Sequence, residues 1–134
     1  MFNSDEAMAN ILVVEDSPTD AMVLRRTLEQ SGHNVAVASD GLQAIDHATA
    51  FLPDVILMDI VMPHLNGFQA TRELRRHPPT ADIPVIMVST KSQPTDRLWG
   101  LRQGAVDYLC KPIDPAVLTA SVDQAIADIP GTPA

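Results

Sequence analysis

The stretch Asp54-Val-Ile-Leu-Met-Asp-Ile-Val-Met-Pro63 decides the fold of this chain. After Asp54 come four apolar residues in a row, Val55 to Met58, and so short a run with branched side chains is typical of a strand buried on both faces. The run ends on an ionisable carboxylate, Asp59. In an open α/β sheet the ligand site lies just beyond the carboxyl ends of the strands. We therefore expect a rigid strand to hold Asp59 while its oxygens reach solvent.

Outward from this stretch, short apolar runs alternate with helical patterns. We predict strands at residues 10–15, 35–38, 54–59, 84–88 and 106–110, and helices at 18–31, 40–51, 67–76, 93–103 and 114–128. Such alternation favours parallel βαβ units with right-handed crossovers. The chain is thus predicted to form one α/β domain over residues 10–128, with a loose N-terminal extension at 1–9 and a C-terminal tail at 129–134.

Capping signals and apolar spacing assign a buried face to several of these helices. Ser17-Pro18 and Asp40 are typical helix starts, whereas Gly32 and Gly104 are typical helix ends. Cys110 is expected to be a small buried hydrophobe. The helical positions expected to be buried are Ala21, Leu24 and Leu28, then Leu42, Ala44, Ile45 and Ala48, and finally Leu98 and Leu101.

Composition and charge exclude several classes of protein. Hydrophobic residues make up 46% of the 134 residues, which is enough for one well-packed core. No apolar run approaches the roughly 20 residues that span a bilayer, and the N-terminus does not resemble a secretory signal. The net charge of −8 opposes nucleic-acid binding, and we expect Arg72, Arg75 and Arg76 to form a solvated helix face. The single cysteine excludes an internal disulfide, which favours a reducing, cytoplasmic setting.

Polar residues follow four of the predicted strands at the points where the strands end. Three of these residues are carboxylates, namely Glu15, Asp16 and Asp59. Carboxylates so close together repel one another unless a cation lies among them. Oxygen ligands with room for waters suit Mg²⁺ rather than Zn²⁺, and the four scattered histidines show no metal-ligand spacing. If the sheet is parallel, the residues gathered at this edge are Glu15, Asp16, Asp59, Ser89, Thr90 and Lys111.

This set has the chemistry of a phosphoryl acceptor. A carboxylate such as Asp59 can act as a nucleophile and form an aspartyl-phosphate. A metal ion and the ammonium of Lys111 would neutralise charge on the transferring group, and the Ser89 hydroxyl could hydrogen-bond a phosphoryl oxygen.

The same residues resemble the receiver domain of two-component response regulators. The resemblance covers about residues 10–128 and implies a doubly wound, five-stranded parallel sheet in the flavodoxin-like order 2-1-3-4-5, with helices on both faces. Since we expect no output domain, the chain is similar to the stand-alone, chemotaxis-type receivers, and residues 89–93 and 96–105 resemble the receivers of type IV pilus twitching-motility systems. The motifs that carry the match are Glu15-Asp16, Asp59 followed by Met62-Pro63 and Gly67, Ser89, and Lys111-Pro112.

The resemblance also implies a role for each matching residue. Asp59 would be phosphorylated by a histidine kinase that is CheA-like. Mg²⁺ would be bound by Asp16, Asp59 and the backbone carbonyl of Val61, with Glu15 helping directly or through water. Lys111, Ser89 and Thr90 would contact the phosphoryl group, and the Lys111–Pro112 bond would be cis.

Signal output would follow from a switch pair in the same family. Ser89 would be drawn to the phosphoryl group while Tyr108 rotates inward, and the fourth helix, fifth strand and fifth helix would form the output surface. Trp99 would either point outward toward a partner on that surface or pack laterally against a neighbouring helix. The chain would be a monomer or a weak dimer and would not be a turnover enzyme, although its site would assist its own phosphorylation and dephosphorylation.

Three other functions stay open at this point. The chain could be a phosphate sink for a shared kinase rather than a signal output. It could also be an interaction module that works without phosphate, although such a module would not need Lys111 or metal ligands. An enzyme on a similar fold is less consistent with the sequence, because a phosphatase would need a second Asp where Val61 stands, and Glu15-Asp16 would repel the phosphate of a flavin.

Overall fold

In this computed structural model, which describes residues 9–129, five strands alternate with five helices. The predicted extension and tail therefore lie outside the described residues, apart from Ala9 and Ile129. A short 3₁₀ turn at Pro78–Thr80, which we did not predict, follows the third helix. The elements in chain order are β1 (Asn10–Val14), α1 (Pro18–Gln30), β2 (Asn34–Ala38), α2 (Gly41–Phe51), β3 (Val55–Asp59), α3 (Gly67–Arg76), β4 (Val85–Ser89), α4 (Pro94–Arg102), β5 (Asp107–Cys110) and α5 (Pro115–Ala127).

The five strands form one parallel sheet in the order β2-β1-β3-β4-β5, which confirms the predicted doubly wound topology. The central strand β3 is buried along its whole length, as its unbroken apolar run predicts. Helices α1 and α5 cover one face of the sheet, where Leu24, Leu28 and Leu118 enter the core. On the other face, α2 and α3 contribute Ala44 and Leu74.

The predicted caps hold the helix starts in place. The Ser17 side chain accepts a hydrogen bond from the backbone N–H of Asp20, and Asp40 accepts one from Gln43. These bonds satisfy amide groups that have no partner within the helix. The start of α1 is thereby fixed immediately after β1, at the carboxyl edge of the sheet.

The predicted buried face of α4 is wrong. Leu98 and Leu101 are 50% and 37% exposed, and the residue that faces the sheet is Gly100. A Cβ atom on Gly100 would lie 2.8 Å from the Met87 sulfur and 3.0 Å from the Tyr108 ring. The helix therefore contacts the sheet through a position without a side chain, and its larger apolar residues point away from the core.

Three further positions differ from the predictions. Leu42 is exposed because α2 packs through its small residues, including Ala44 and Ala48. Cys110 is exposed at the end of β5, an edge strand. Arg75 is not part of a solvated face, since its partly buried guanidinium donates hydrogen bonds to three backbone carbonyls.

One further prediction concerns the membrane. None of the helices between residues 9 and 129 is long and apolar enough to cross a bilayer.

Candidate functional site

The sheet brings the predicted site residues together at one edge. Parallel register places the end of β1 beside the end of β3, with Val14 opposite Met58, and the end of β4 beside that of β5. The backbone N–H of Lys111 donates to the carbonyl of Ser89 across this last pair, at 2.8 Å. Side chains that are far apart in the sequence therefore converge because their strands end at the same level.

Three carboxylates form the centre of the site. Oxygens of Glu15, Asp16 and Asp59 all lie within 4.8 Å of one another. Glu15 and Asp59 are buried, whereas Asp16 is exposed. Hard oxygen donors in such a cluster, with one open side, suit a divalent cation that keeps part of its water shell. The residues present therefore fit the predicted Mg²⁺ site.

The environment of Asp59 disfavours its charge when no cation is bound. Burial, and then repulsion from Glu15, raise the pKa of Asp59 from 3.8 to about 7, although the ammonium of Lys111 opposes this shift. A bound cation would reverse this effect, because opposite charge favours the ionised carboxylate.

Lys111 reaches the centre from the end of β5, and the Lys111–Pro112 peptide bond is cis, as predicted. Its Nζ forms an ion pair with Glu15, lies 3.0 Å from Asp20 Oδ2 and lies 3.8 Å from Asp59 Oδ1. Burial lowers the pKa of Lys111, but the hydrogen bonds to Glu15 and Asp20, together with attraction to the charges of Asp59 and Glu15, raise it overall. Lys111 is therefore a fully charged group beside Asp59 at neutral pH.

Asp20, a close neighbour of Lys111 in this site, is not among the predicted site residues. Its position in the first turn of α1 was a usable signal, because that helix begins where β1 ends, at the same edge of the sheet. A carboxylate in this turn lies within reach of any cationic side chain at the neighbouring strand ends.

The loop after β3 turns back tightly onto Asp59. The backbone N–H of Gly67 donates to the carbonyl of Ile60 at 2.9 Å, and a Cβ on Gly67 would lie 2.2 Å from the Asp59 carbonyl oxygen. Only glycine allows this approach. Val61 lies in this loop with an exposed side chain; its carbonyl as a ligand stays a prediction.

Ser89 and Tyr108 meet at the backbone of Lys91. The Ser89 Oγ is buried and accepts a hydrogen bond from the Lys91 N–H at 3.2 Å. The Tyr108 hydroxyl donates to the Lys91 carbonyl at 2.6 Å, and its ring is buried, so the tyrosine already faces inward. Burial, and then repulsion from Asp96, raise the pKa of Tyr108.

The two remaining predicted positions are both exposed. Thr90 is exposed and lines a groove of about 380 Å³ beside Lys111 and Pro112. Trp99 is 47% exposed on α4, beside the exposed Leu98, so a substantial part of its ring is open to solvent.

Comparison with known proteins gives consistent matches along the chain. The family profile described as the response regulator receiver domain matches residues 11–123. The chain is 52% identical to Protein PilH of Pseudomonas aeruginosa over 120 residues, which cover 90% of this chain and 99% of PilH.

Solved structures agree with this match. The receiver domain of sensor histidine kinase PA1611 from Pseudomonas aeruginosa PAO1, with a magnesium ion in its active site cleft, is 35% identical with a TM-score of 0.85. That similarity covers 91% of this chain and all of that domain. Chemotaxis protein CheY4 of Vibrio cholerae is 31% identical with a TM-score of 0.83, over 89% of this chain and 99% of CheY4.

Proposed function

Because the chain belongs to the response regulator receiver domain family of two-component signalling, we propose that Asp59 is its phosphoacceptor and that a histidine kinase is its phosphodonor. The observation that carries the proposal is the position of Asp59. It is a buried carboxylate at the end of β3, with an ammonium 3.8 Å away and two further carboxylates beside it. A buried acidic group in this setting is typical of a reactive site rather than a helix cap.

In the proposed reaction an Asp59 oxygen attacks the phosphorus of a phosphohistidine. The new P–O bond forms as the P–N bond breaks, and the imidazole leaves with the electron pair and takes up a proton. Lys111 neutralises negative charge on the equatorial oxygens as it develops. The Ser89 Oγ accepts from Lys91, which leaves its hydroxyl proton available to donate to a phosphoryl oxygen.

The metal ligands are proposed on the chemistry of the cluster. Asp16, Asp59 and the Val61 carbonyl would hold Mg²⁺, with Glu15 helping directly or through a water. Bound there, the ion would supply positive charge against the transferring group. The exposed carboxylate of Asp16 leaves that side of the cluster accessible from solvent.

The output is proposed to be a change in partner binding. Phosphorylation would shift an existing equilibrium between two arrangements of Ser89 and Tyr108. The surface of α4, β5 and α5 would read this change, with Trp99 as a contact for an output protein of unknown identity.

The pathway is proposed from the likeness to PilH together with residues 89–105. A CheA-like kinase in chemotaxis-like or pilus motility signalling fits both. The protein would work in the cytoplasm as a monomer or weak dimer, without nucleic acid, and would assist its own dephosphorylation.

Intact-mass spectrometry after incubation with acetyl phosphate tests the phosphoacceptor. We expect one phosphoryl group on the wild type in the presence of Mg²⁺, and none on Asp59→Asn. Asp46→Asn is the matched control, since it removes an exposed carboxylate from α2 without touching the site. Equal labelling of Asp59→Asn would overturn the assignment. No labelling of the wild type under any condition would favour the phosphate-independent interaction module.

A further inference from the structure

Asp20 is a carboxylate at the site that the proposed reaction does not use. We propose that Asp20 is a positioning residue that restrains the Lys111 ammonium and thereby limits how fast Asp59 accepts a phosphoryl group. This inference rests on the proposed function of Asp59.

The geometry of α1 directs Asp20 toward the site. Its backbone N–H donates to the Ser17 cap at 3.3 Å, which fixes the residue in the first turn. From there its Oδ2 lies 3.0 Å from Lys111 Nζ, closer than Asp59 Oδ1 at 3.8 Å. The ammonium thus has one close partner in the centre of the site, Glu15, and a second on the neighbouring helix.

The contacts with Glu15 and Asp20 compete with the contact that the Lys111 ammonium would make with a phosphoryl group on Asp59. An ammonium has three N–H donors, and Glu15 and Asp20 accept two of them. We expect a phosphoryl group on Asp59 to draw the Nζ toward it and to lengthen the contact with Asp20, because Glu15 lies within the carboxylate cluster itself and Asp20 lies outside it.

The strength of the restraint depends on how far the side chains of Asp20 and Lys111 are exposed to solvent. The Asp20 side chain is 46% exposed and that of Lys111 is 16% exposed. Ion pairs with one partner in water are weak, so the expected effect is several-fold rather than many orders of magnitude. A restraint of this size adjusts a rate without preventing the reaction.

The same carboxylate would also repel anionic phosphodonors. Asp20 lines the groove of about 380 Å³ together with Thr90 and Lys111. An anionic phosphodonor that approaches Lys111 from this groove would meet the negative charge of Asp20. Loss of that charge would therefore favour the approach of the donor and the release of Lys111. Both effects would raise the rate of phosphorylation.

Asp20 can be changed without removing the proposed metal ligands. The cluster of oxygens within 4.8 Å comprises Glu15, Asp16 and Asp59 and does not include Asp20. An asparagine at position 20 also keeps the backbone N–H that the Ser17 cap requires. Asp20→Asn is therefore a specific test of the restraint.

The test measures phosphorylation by acetyl phosphate in Mg²⁺, followed by intact mass over time. We expect Asp20→Asn to react about two- to fivefold faster than wild type, as removal of a partly exposed ion pair implies. Asp20→Glu should restore a rate near that of wild type. Asp46→Asn, with the same change in net charge, should not differ from wild type.

A spectroscopic signal separates positioning from a general structural effect. The chain contains two lysines, Lys91 and Lys111, so selective ¹⁵N-lysine labelling gives two side-chain resonances. Beryllofluoride with Mg²⁺ serves as the phosphoryl mimic. We expect the Lys111 resonance of unliganded Asp20→Asn to shift from the wild-type position, and beryllofluoride to bind this variant several-fold more tightly.

The outcomes distinguish this inference from the proposed function. Phosphorylation of Asp59→Asn would remove Asp59 as acceptor and the inference with it. If the wild type is labelled only at Asp59, but Asp20→Asn reacts at the wild-type rate or more slowly, the restraint is disproved and the acceptor stands. An unshifted Lys111 resonance in Asp20→Asn would overturn the positioning role even if the rate rises.

Discussion

The hydroxyl of Tyr108 donates a hydrogen bond of 2.6 Å to the backbone carbonyl of Lys91. This bond ties β5 to the loop that follows Ser89. The Tyr108 ring lies against Gly100 of α4, where an added Cβ would be only 3.0 Å from it. The missing side chain of one helical residue thus makes room for the aromatic ring beneath the helix.

Gly100→Ala is expected to displace Tyr108 from this position. The new methyl group would press on both the ring and the Met87 sulfur, and overpacking of this kind costs about 1–3 kcal/mol. The higher helix propensity of alanine offsets about 1 kcal/mol. The net loss of stability is therefore small, and the main change is in the tyrosine.

Fluorotyrosine labelling measures this displacement, because the chain contains a single tyrosine. We expect one buried ¹⁹F resonance in the wild type and a solvent-exposed one in Gly100→Ala. Tyr108→Phe is the companion variant for stability, and should cost only the hydrogen bond, about 0.5–1.5 kcal/mol. A wild-type resonance that is already exposed would contradict the inward position.

Asp59→Asn is expected to stabilise the metal-free protein at alkaline pH. The folded-state pKa of Asp59 is about 7, against 3.8 for the ordinary group. The carboxyl group of Asp59 therefore stabilises the folded state fully below pH 3.8, and this stabilisation is lost as the pH rises through about 7. The variant has no such loss, so its free energy of unfolding should exceed that of wild type by at least about 1 kcal/mol above pH 7.

Urea unfolding with a chelator, at a series of pH values, checks this expectation. The difference between Asp59→Asn and wild type should shrink as the pH falls toward the acidic range. Two stability profiles that run parallel across neutral pH would show that Asp59 ionises normally.

The fold and most of the site could be predicted because both depend on local patterns. An unbroken apolar run such as Val55 to Met58 predicts a strand covered on both faces in the interior of the sheet, and the polar residue that ends it lies at the carboxyl edge of the sheet. Asp59 and Lys111 could therefore be placed from position alone. The parallel topology then brings them together without further information.

What could not be predicted depends on contacts between distant elements. The spacing of Leu98 and Leu101 indicates a buried face, but it does not reveal that α4 packs through Gly100. Likewise, the sequence does not distinguish Arg75 from Arg72 and Arg76, because the backbone carbonyls that accept its hydrogen bonds lie on two separate loops. Such partners become known only when the elements are packed.

Asp16→Asn is expected to remove most of the stabilisation that Mg²⁺ confers. A ligand that binds only the folded state stabilises it by about 2.7 kcal/mol at a hundredfold excess over its dissociation constant. Asp16 is exposed, so its replacement should leave the metal-free stability nearly unchanged. Thermal unfolding with and without Mg²⁺, with Asp46→Asn as control, measures both quantities. An unchanged Mg²⁺ response in Asp16→Asn would exclude it as a ligand.

Arg75→Ala is expected to destabilise the fold far more than loss of the neighbouring arginine. The Arg75 guanidinium donates to the carbonyls of Gly104, Ala81 and Ile83, at distances between 2.6 and 3.2 Å. It thereby joins α3 to the turn after α4 and to the segment before β4. Burial lowers its pKa, in keeping with a guanidinium partly removed from water.

Removing this side chain leaves three carbonyls without their charged donor, and one hydrogen bond to a charged group contributes about 1.5–3 kcal/mol. We expect a loss of at least about 2 kcal/mol in urea unfolding for Arg75→Ala. Arg76→Ala is the matched control, since Arg76 is exposed and its one ion pair among residues 9–129 is with Glu73 of the same helix; it should cost less than about 0.5 kcal/mol. Equal losses in the two variants would mean that the three carbonyl contacts do not hold α3 to the turn after α4 and to the segment before β4.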